Sequence, residues 1–319
     1  MFLPVKADFP LPRFPILTVL VCVVCLGVHL KQQYDWVEYG AAVESFCSAE
    51  RSNLDRMIFD RVADVTGAYD CGDVMYAITN DPVRDVNEVI ADIANEVRPL
   101  TGLSLEDSRD YVRRKLEEEA RRFKARVPSD PDSGLAYNTA SWNPLTMVSS
   151  SFAHGDWLHI GFNLVFFFAF AATVEFLVGP LWFLAFILVD SLFIGLTGSA
   201  IVALEGAHYW TLGLSGIVMG MMGLFAYLLP HAKIRCYYFF IIIFGSVAIP
   251  GWVLVAWYLG SDVLTLLTED DYGMVNVMAH VMGGLGGYLF GVLFLSDVRR
   301  RAVAVQADLD WRERERRLR

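Results

Sequence analysis

Charge is what this chain has least of. Asp, Glu, Lys and Arg make up 19% of its 319 residues, and 55% are hydrophobic. A soluble domain of this length is more charged and less apolar, so a wholly soluble chain is excluded. Basic residues are short where nucleic acid would need them: residues 32–155 carry 13 Lys/Arg against 22 Asp/Glu. The arginines of 299–319 alternate with Glu313 and Glu315 and read as a solvated helix end, so no nucleic acid partner is expected. Between His29 and His154 there is no histidine, and that stretch shows no catalytic constellation. Cysteine is sparse, at five. Cys22 and Cys25 lie in an apolar run without the polar neighbours that would make a thiolate. Cys47 and Cys71 are the pair in the polar segment, and a disulfide between them is open if that segment meets an oxidising compartment.

What is present is unevenly placed. Residues 15–31 are apolar and long enough to cross a bilayer. No small-x-small cleavage site follows at once, so the run reads as a retained anchor rather than a signal peptide; His29 is expected at the interface. Residues 32–156 read as a polar, mostly helical insertion. Val86, Val89, Ile90, Ile93 and Val97 recur at helical steps, and Ser104 with Asp107 resembles a capping box before a long charged helix. Residues 157–297 are apolar almost throughout. Turn residues divide them into spans at Trp157–Val178, 181–204, 215–229, 236–259 and 274–296, which makes six with the anchor. The loop 261–273 holds Glu269, Asp270 and Asp271. Lys6/Arg13, Lys233/Arg235 and the arginines after 298 then share one side, the cytoplasmic side by the positive-inside rule. Residues 1–14 and 298–319 are thus expected as cytoplasmic tails and 32–156 as an extracytoplasmic first loop. The fold class is an all-α membrane protein in the plasma (bacterial inner) membrane.

Depth gathers the polar residues of the apolar half. At 1.5 Å per residue, Ser215, Asn163 and His280 lie about 22, 24 and 25 Å above the cytoplasmic ends of their spans. A span starting at Ser215 is too short for a hydrocarbon core of about 30 Å. Non-helical backbone at that depth must be buried in protein or line a wet cavity. The expected feature is a cavity open to the extracytoplasmic side with Ser215 on its floor. Gly216/Gly220 and Gly283/Gly287 are spaced for close helix approach, which would bring the serine to His280. A serine hydroxyl needs a base, and histidine is the usual one. An intramembrane histidine is costly without a partner or function. Asn163 and His159, four apart, could donate to an oxyanion, as could backbone N–H groups at Leu214 and Ser215 at a helix N-terminus. No carboxylate or thiol completes a ligand set with His154, His159 and His280, so no metal and no haem is expected.

Three motifs now meet. His154-x4-His159-x3-Asn163 with Glu175 twelve residues on, Gly213-x-Ser215-Gly216, and Ala279-His280-x-x-Gly283-x-x-x-Gly287 together resemble the rhomboid intramembrane serine proteases, over about residues 140–297. The resemblance implies a six-helix rhomboid-like transmembrane bundle. It implies Ser215 as nucleophile, His280 as general base, Asn163 and His159 as oxyanion donors with the Leu214 amide assisting, His154 in support and Glu175 in a structural role. It implies a fifth span acting as a gate, no cofactor, and membrane-protein substrates cut in or near a transmembrane segment after a small residue. Two departures stand out. Met219 replaces an aromatic residue often found four after the nucleophile. The first loop is far longer than usual and lacks the Trp-Arg pair of some bacterial members, which suggests a recognition domain with a protein partner of its own. The alternative is an inactive rhomboid-like protein that binds or escorts membrane clients.

Overall fold

The computed structural model describes residues 2–81, 84–205, 209–240, 243–268 and 277–318. The loop acids Glu269, Asp270 and Asp271 lie outside them, as does His208. In chain order the elements are β1 Phe2–Ala7, α1 Ile16–Cys47, α2 Asn53–Thr66, α3 Cys71–Thr79, α4 Val86–Glu96 and α5 Leu105–Arg126. There follow β2 Tyr137–Asn138, α6 Pro144–Ser149, α7 Trp157–Val178, α8 Pro180–Glu205, β3 Trp210–Thr211 and α9 Ser215–Leu228. The last are β4 Lys233–Phe240, β5 Ile243–Pro250, α10 Gly251–Thr268, α11 Val277–Phe294 and α12 Ser296–Leu318. The chain is an all-α membrane protein with small strand additions. It divides into two compact units, Met1–His29 with Leu135–Arg319, and Leu30–Gly134.

The Leu30–Gly134 unit is helical because its sequence supplies caps and apolar stripes. Ser52, Asp70, Asp85 and Ser104 each accept a first-turn N–H of α2, α3, α4 and α5, satisfying donors that the helix itself leaves open. The Ser104 hydroxyl accepts from the Asp107 amide at 3.1 Å, as the capping-box reading expects. Val89, Ile90 and Ile93 of α4 are buried in one core with Ile58, Met75, Ile78, Leu116 and Phe123. Arg51 sits beside Glu119 at 3.9 Å and over the Phe59 ring at 4.7 Å. Cys47 and Cys71 form a disulfide, which settles the pairing that spacing left open.

Among the described residues, five helices are long and apolar enough to cross a membrane, α1, α7, α8 (over Pro180–Ile201), α10 and α11. The remaining expected span is α9, an apolar helix of only 14 residues. Glu175 of α7 accepts the Leu17 amide at 3.0 Å and the Thr18 amide and hydroxyl at 2.7 Å. A carboxylate there completes the first turn of α1 and opposes the positive end of its dipole. His29, expected at the interface, is fully buried within the protein. Its ring meets Trp157 edge-on at 4.6 Å, with Nδ1 3.1 Å from the His154 carbonyl. Residues 135–156, expected in the insertion, pack with the unit of Met1–His29 and Leu135–Arg319: β2 pairs with β3, and the Tyr137 hydroxyl bonds Ser199.

The fifth span is a correction. The apolar stretch 236–259 is not one helix. Its first part lies in β4 and β5, an antiparallel hairpin, and β1 pairs with β4 to give the order β1-β4-β5. Tyr237, Tyr238, Val247 and Ile249 are aromatic or β-branched and suit strands, and period alone does not separate a buried strand from a buried helix. The membrane helix α10 starts only after Pro250.

The tightest packing joins α9 to α11. A Cβ at Gly283 would overlap the Gly216 carbonyl oxygen and lie 2.9 Å from its carbon. A Cβ at Gly287 would do the same at Gly220, and one at Gly223 would strike the Gly284 carbonyl. These neighbours are backbone and cannot swing aside. Gly283→Ala should therefore lower stability in detergent by at least about 1–3 kcal/mol through overpacking. Gly161→Ala, where nothing lies within 4 Å, should be neutral or gain up to about 1 kcal/mol from helix propensity. Thermal unfolding of the two variants checks the contrast. Reduction of Cys47–Cys71, whose separation is 24 residues, should cost about 3 kcal/mol, seen as a lower unfolding midpoint with reductant and a mobility shift on non-reducing gels.

Candidate active site

Around Ser215, residues 213, 214 and 216 each have a different neighbour. Gly213 has φ +121°, a conformation that side chains resist. A Cβ there would also lie 2.9 Å from Cε1 and Nε2 of His159. Glycine is thus needed twice, for the turn and for the imidazole beside it. The Gly213 amide donates to the Ser150 carbonyl at 2.9 Å. The Leu214 amide donates to His154 Nε2 at 3.3 Å, and its side chain is fully buried. Ser215 is the first residue of α9. A Cβ on Gly216 would lie 3.4 Å from the Ala279 carbonyl oxygen, next to His280. Met219 is buried in the surrounding core.

The partners of this turn come from two helices. Asp156 accepts the Leu158 and His159 amides at 2.8 Å each and so begins α7. Those backbone hydrogen bonds, from His159 first, lower the Asp156 pKa. From that start, His159 and Asn163 lie one turn apart on one face. The Asn163 side-chain nitrogen would be 3.9 Å from a Cβ at Gly213. His154 and His159 stack edge to face at 5.2 Å. On α11, His280 is close enough to His159 for their charges to interact. His280 Nδ1 lies 3.1 Å from Asp262 Oδ2 of α10.

Beside the turn is a small cavity of about 30 Å³, room for about two waters. Ser215, Gly213 and Gly216 line it with hydroxyls of Ser150, Ser151 and Ser191. Ser215 thus lines a hollow of mixed character, with Met147, Ile194 and Ile217 beside the serines. Among the described residues, no group of three His, Cys, Asp or Glu could hold a metal ion.

The structure brings His159 and Asn163 to Gly213 and His154 to the Leu214 amide, and puts Ala279, the neighbour of His280, against Gly216. Two acidic residues escaped the sequence reading. Asp156 carries a readable signal, since an Asp just before an apolar helical run is an N-cap pattern. Asp262 was assigned to a loop because the fifth span had been placed too early.

His154 lies before α7, outside the spans, and burial pushes its pKa from 6.5 to about 4, with His159 adding to the depression. The neutral ring suits a nitrogen that accepts the Leu214 N–H. As pH falls, the unfolded chain takes this proton first, so the stabilisation is complete above pH 6.5 and is lost between 6.5 and about 4. His154→Gln keeps an acceptor that does not titrate. Thermal midpoints measured across this range should fall more steeply in the wild type than in His154→Gln.

Comparison with known proteins places a family match over the apolar half. Residues 141–297 match the family model described as Rhomboid domain. The chain is 28% identical over 180 residues to "Rhomboid protein 1, mitochondrial" of Saccharomyces cerevisiae, a match covering 52% of this chain and 47% of that protein. It therefore spans about half the length of the curated relative it matches. With the domain match over the apolar half and the polar turn set between α7 and α11, the chain is a multi-pass membrane protein that belongs to the rhomboid family.

Proposed function

We propose that this chain is an intramembrane serine endopeptidase acting through Ser215 and His280. The observation that carries the proposal is the 213–216 turn, set between the polar start of α7 and the Ala279–His280 step of α11. Ser215 Oγ attacks the scissile carbonyl while the free nitrogen of His280 takes its proton. The carbonyl electrons move onto oxygen, where Asn163 and His159 donate hydrogen bonds. Collapse breaks the C–N bond, and His280 returns the proton to the leaving amine. Water, deprotonated by the same histidine, then releases the acyl group. His154 orders the turn through Leu214. The Leu214 N–H would join the oxyanion donors only by leaving His154.

Substrates are membrane proteins cut in or near a transmembrane segment, and no cofactor takes part. The Cys47–Cys71 disulfide supports an oxidising compartment for the insertion, hence a site opening to the extracytoplasmic side and cytoplasmic tails at 1–14 and 298–319. The yeast relative is mitochondrial by name, so the proposal does not extend to a bacterial inner membrane as host. The acidic insertion is proposed as a recognition domain with a protein partner.

Purified protein in liposomes with transmembrane substrates tests this. Cleavage should vanish in Ser215→Ala and in His280→Ala, and fall about 10²–10³-fold in Asn163→Ala. Cleavage that survives Ser215→Ala would overturn the mechanism. Client binding without cleavage by wild type would favour the escort function.

A further inference from the structure

We infer that Asp262 is a third, positioning member of this site, which holds His280 in the tautomer that can accept a proton from Ser215. The inference rests on the protease proposal for Ser215 and His280, and it begins from an economy of charge. Asp262 is the sole charged residue of α10, and His280 is the only residue of α11 with an acid–base group in the neutral range. These two meet across the helix pair, Nδ1 to Oδ2 at 3.1 Å, with side chains only 14% and 19% exposed. An ionisable residue in a membrane helix is retained for a partner or a function.

The register makes this contact part of the helix packing rather than a chance reach. A Cβ at Gly284 would lie 2.6 Å from the Leu259 side chain, so Leu259 seats on Gly284. Three residues on along α10 and four back along α11 come Asp262 and His280, one turn away in antiparallel helices. At 100° per residue, position 280 lies about 20° from 287 and about 40° from 284, on opposite sides. Gly287 faces α9 and Gly284 faces α10. His280 therefore projects into the seam between them, with Asp262 on one side and the α9 start at Ser215 on the other.

A carboxylate can only accept. Facing Nδ1, it keeps the proton on that nitrogen, and Nε2 is left as the acceptor. That is the nitrogen a serine hydroxyl needs. When His280 takes the serine proton, the adjacent carboxylate also stabilises the imidazolium, without itself being protonated. Among the described residues, His159 is another titratable side chain near the ring, and as a neutral or cationic group it cannot replace that stabilisation.

Asp262→Asn in the full chain is the test. Its amide can offer N–H to Nδ1 and drive the proton to Nε2. Nitrogen-15 spectra of histidine-labelled protein, with His280 assigned by its loss in His280→Ala, should show an Nδ1–H ring in wild type and an Nε2–H ring in Asp262→Asn. On a transmembrane substrate, kcat should fall about 10²–10⁴-fold with KM unchanged, as for the same change in a Ser-His-Asp protease. Asp262→Glu, which keeps the acceptor, should recover the Nδ1–H ring and part of the rate. An unmoved tautomer with kcat within twofold of wild type in Asp262→Asn would overturn the inference, as would a normal Nδ1–H ring in Asp262→Ala should the Asn variant not fold. A tautomer that switches while wild type cleaves nothing would uphold the positioning contact and sink the protease proposal instead.

Discussion

The approach of α9 to α11 is the constraint on which the rest of the site depends. Lipid gives helices no hydrophobic reason to associate, so contact has to come from close packing. Gly216, Gly220 and Gly223 meet Gly283, Gly284 and Gly287 backbone to backbone. Nothing soft lies between the two helices, and their register has little freedom. Ser215 stands one residue before the first of these contacts and His280 three before Gly283. Their relative position is therefore fixed by backbone atoms, the least adjustable part of the fold.

Polar side chains in this unit are used where backbone donors would otherwise go unpaired. Glu175 completes the start of α1, Asp156 the start of α7, and His154 takes the Leu214 amide just ahead of α9. Away from water each such donor is expensive to leave open. The same contacts also place the candidate site residues: the Asp156 cap fixes where His159 and Asn163 stand, and the His154 contact holds the turn before the serine. Asp190 differs. Its carboxyl is pressed between Gly220 and Gly286 and has no hydrogen-bond partner among the described residues; nothing in the structure explains why an acid is kept there.

The parts of the fold that were legible are those governed by local rules. The Ser104–Asp107 cap and the buried stripe of α4 follow from side chains a few residues apart. The glycine pairs could be read as close-packing faces, since only a missing Cβ allows backbone contact. The start of the fifth span was not legible. In residues 236–259 aromatic and β-branched residues run without period, and strand and helix look alike until β1 is seen to pair with β4. That misplacement moved Asp262 from a helix into a loop and hid its contact with His280, which joins residues 18 apart.

The sequence by itself determined that the chain is a membrane protein, and it named Ser215, His280, Asn163 and His159 as the candidates for acyl transfer, expected at one depth. Composition and helical rise suffice for those, because they act along a single chain axis. Tertiary structure decided the rest: that Cys47 joins Cys71, that Glu175 ends on α1, that the Leu214 amide belongs to His154, and that α10 turns Asp262 toward His280. Each of these is an angular relation between separate elements, and helical rise fixes height along an axis but not the bearing of one helix toward another.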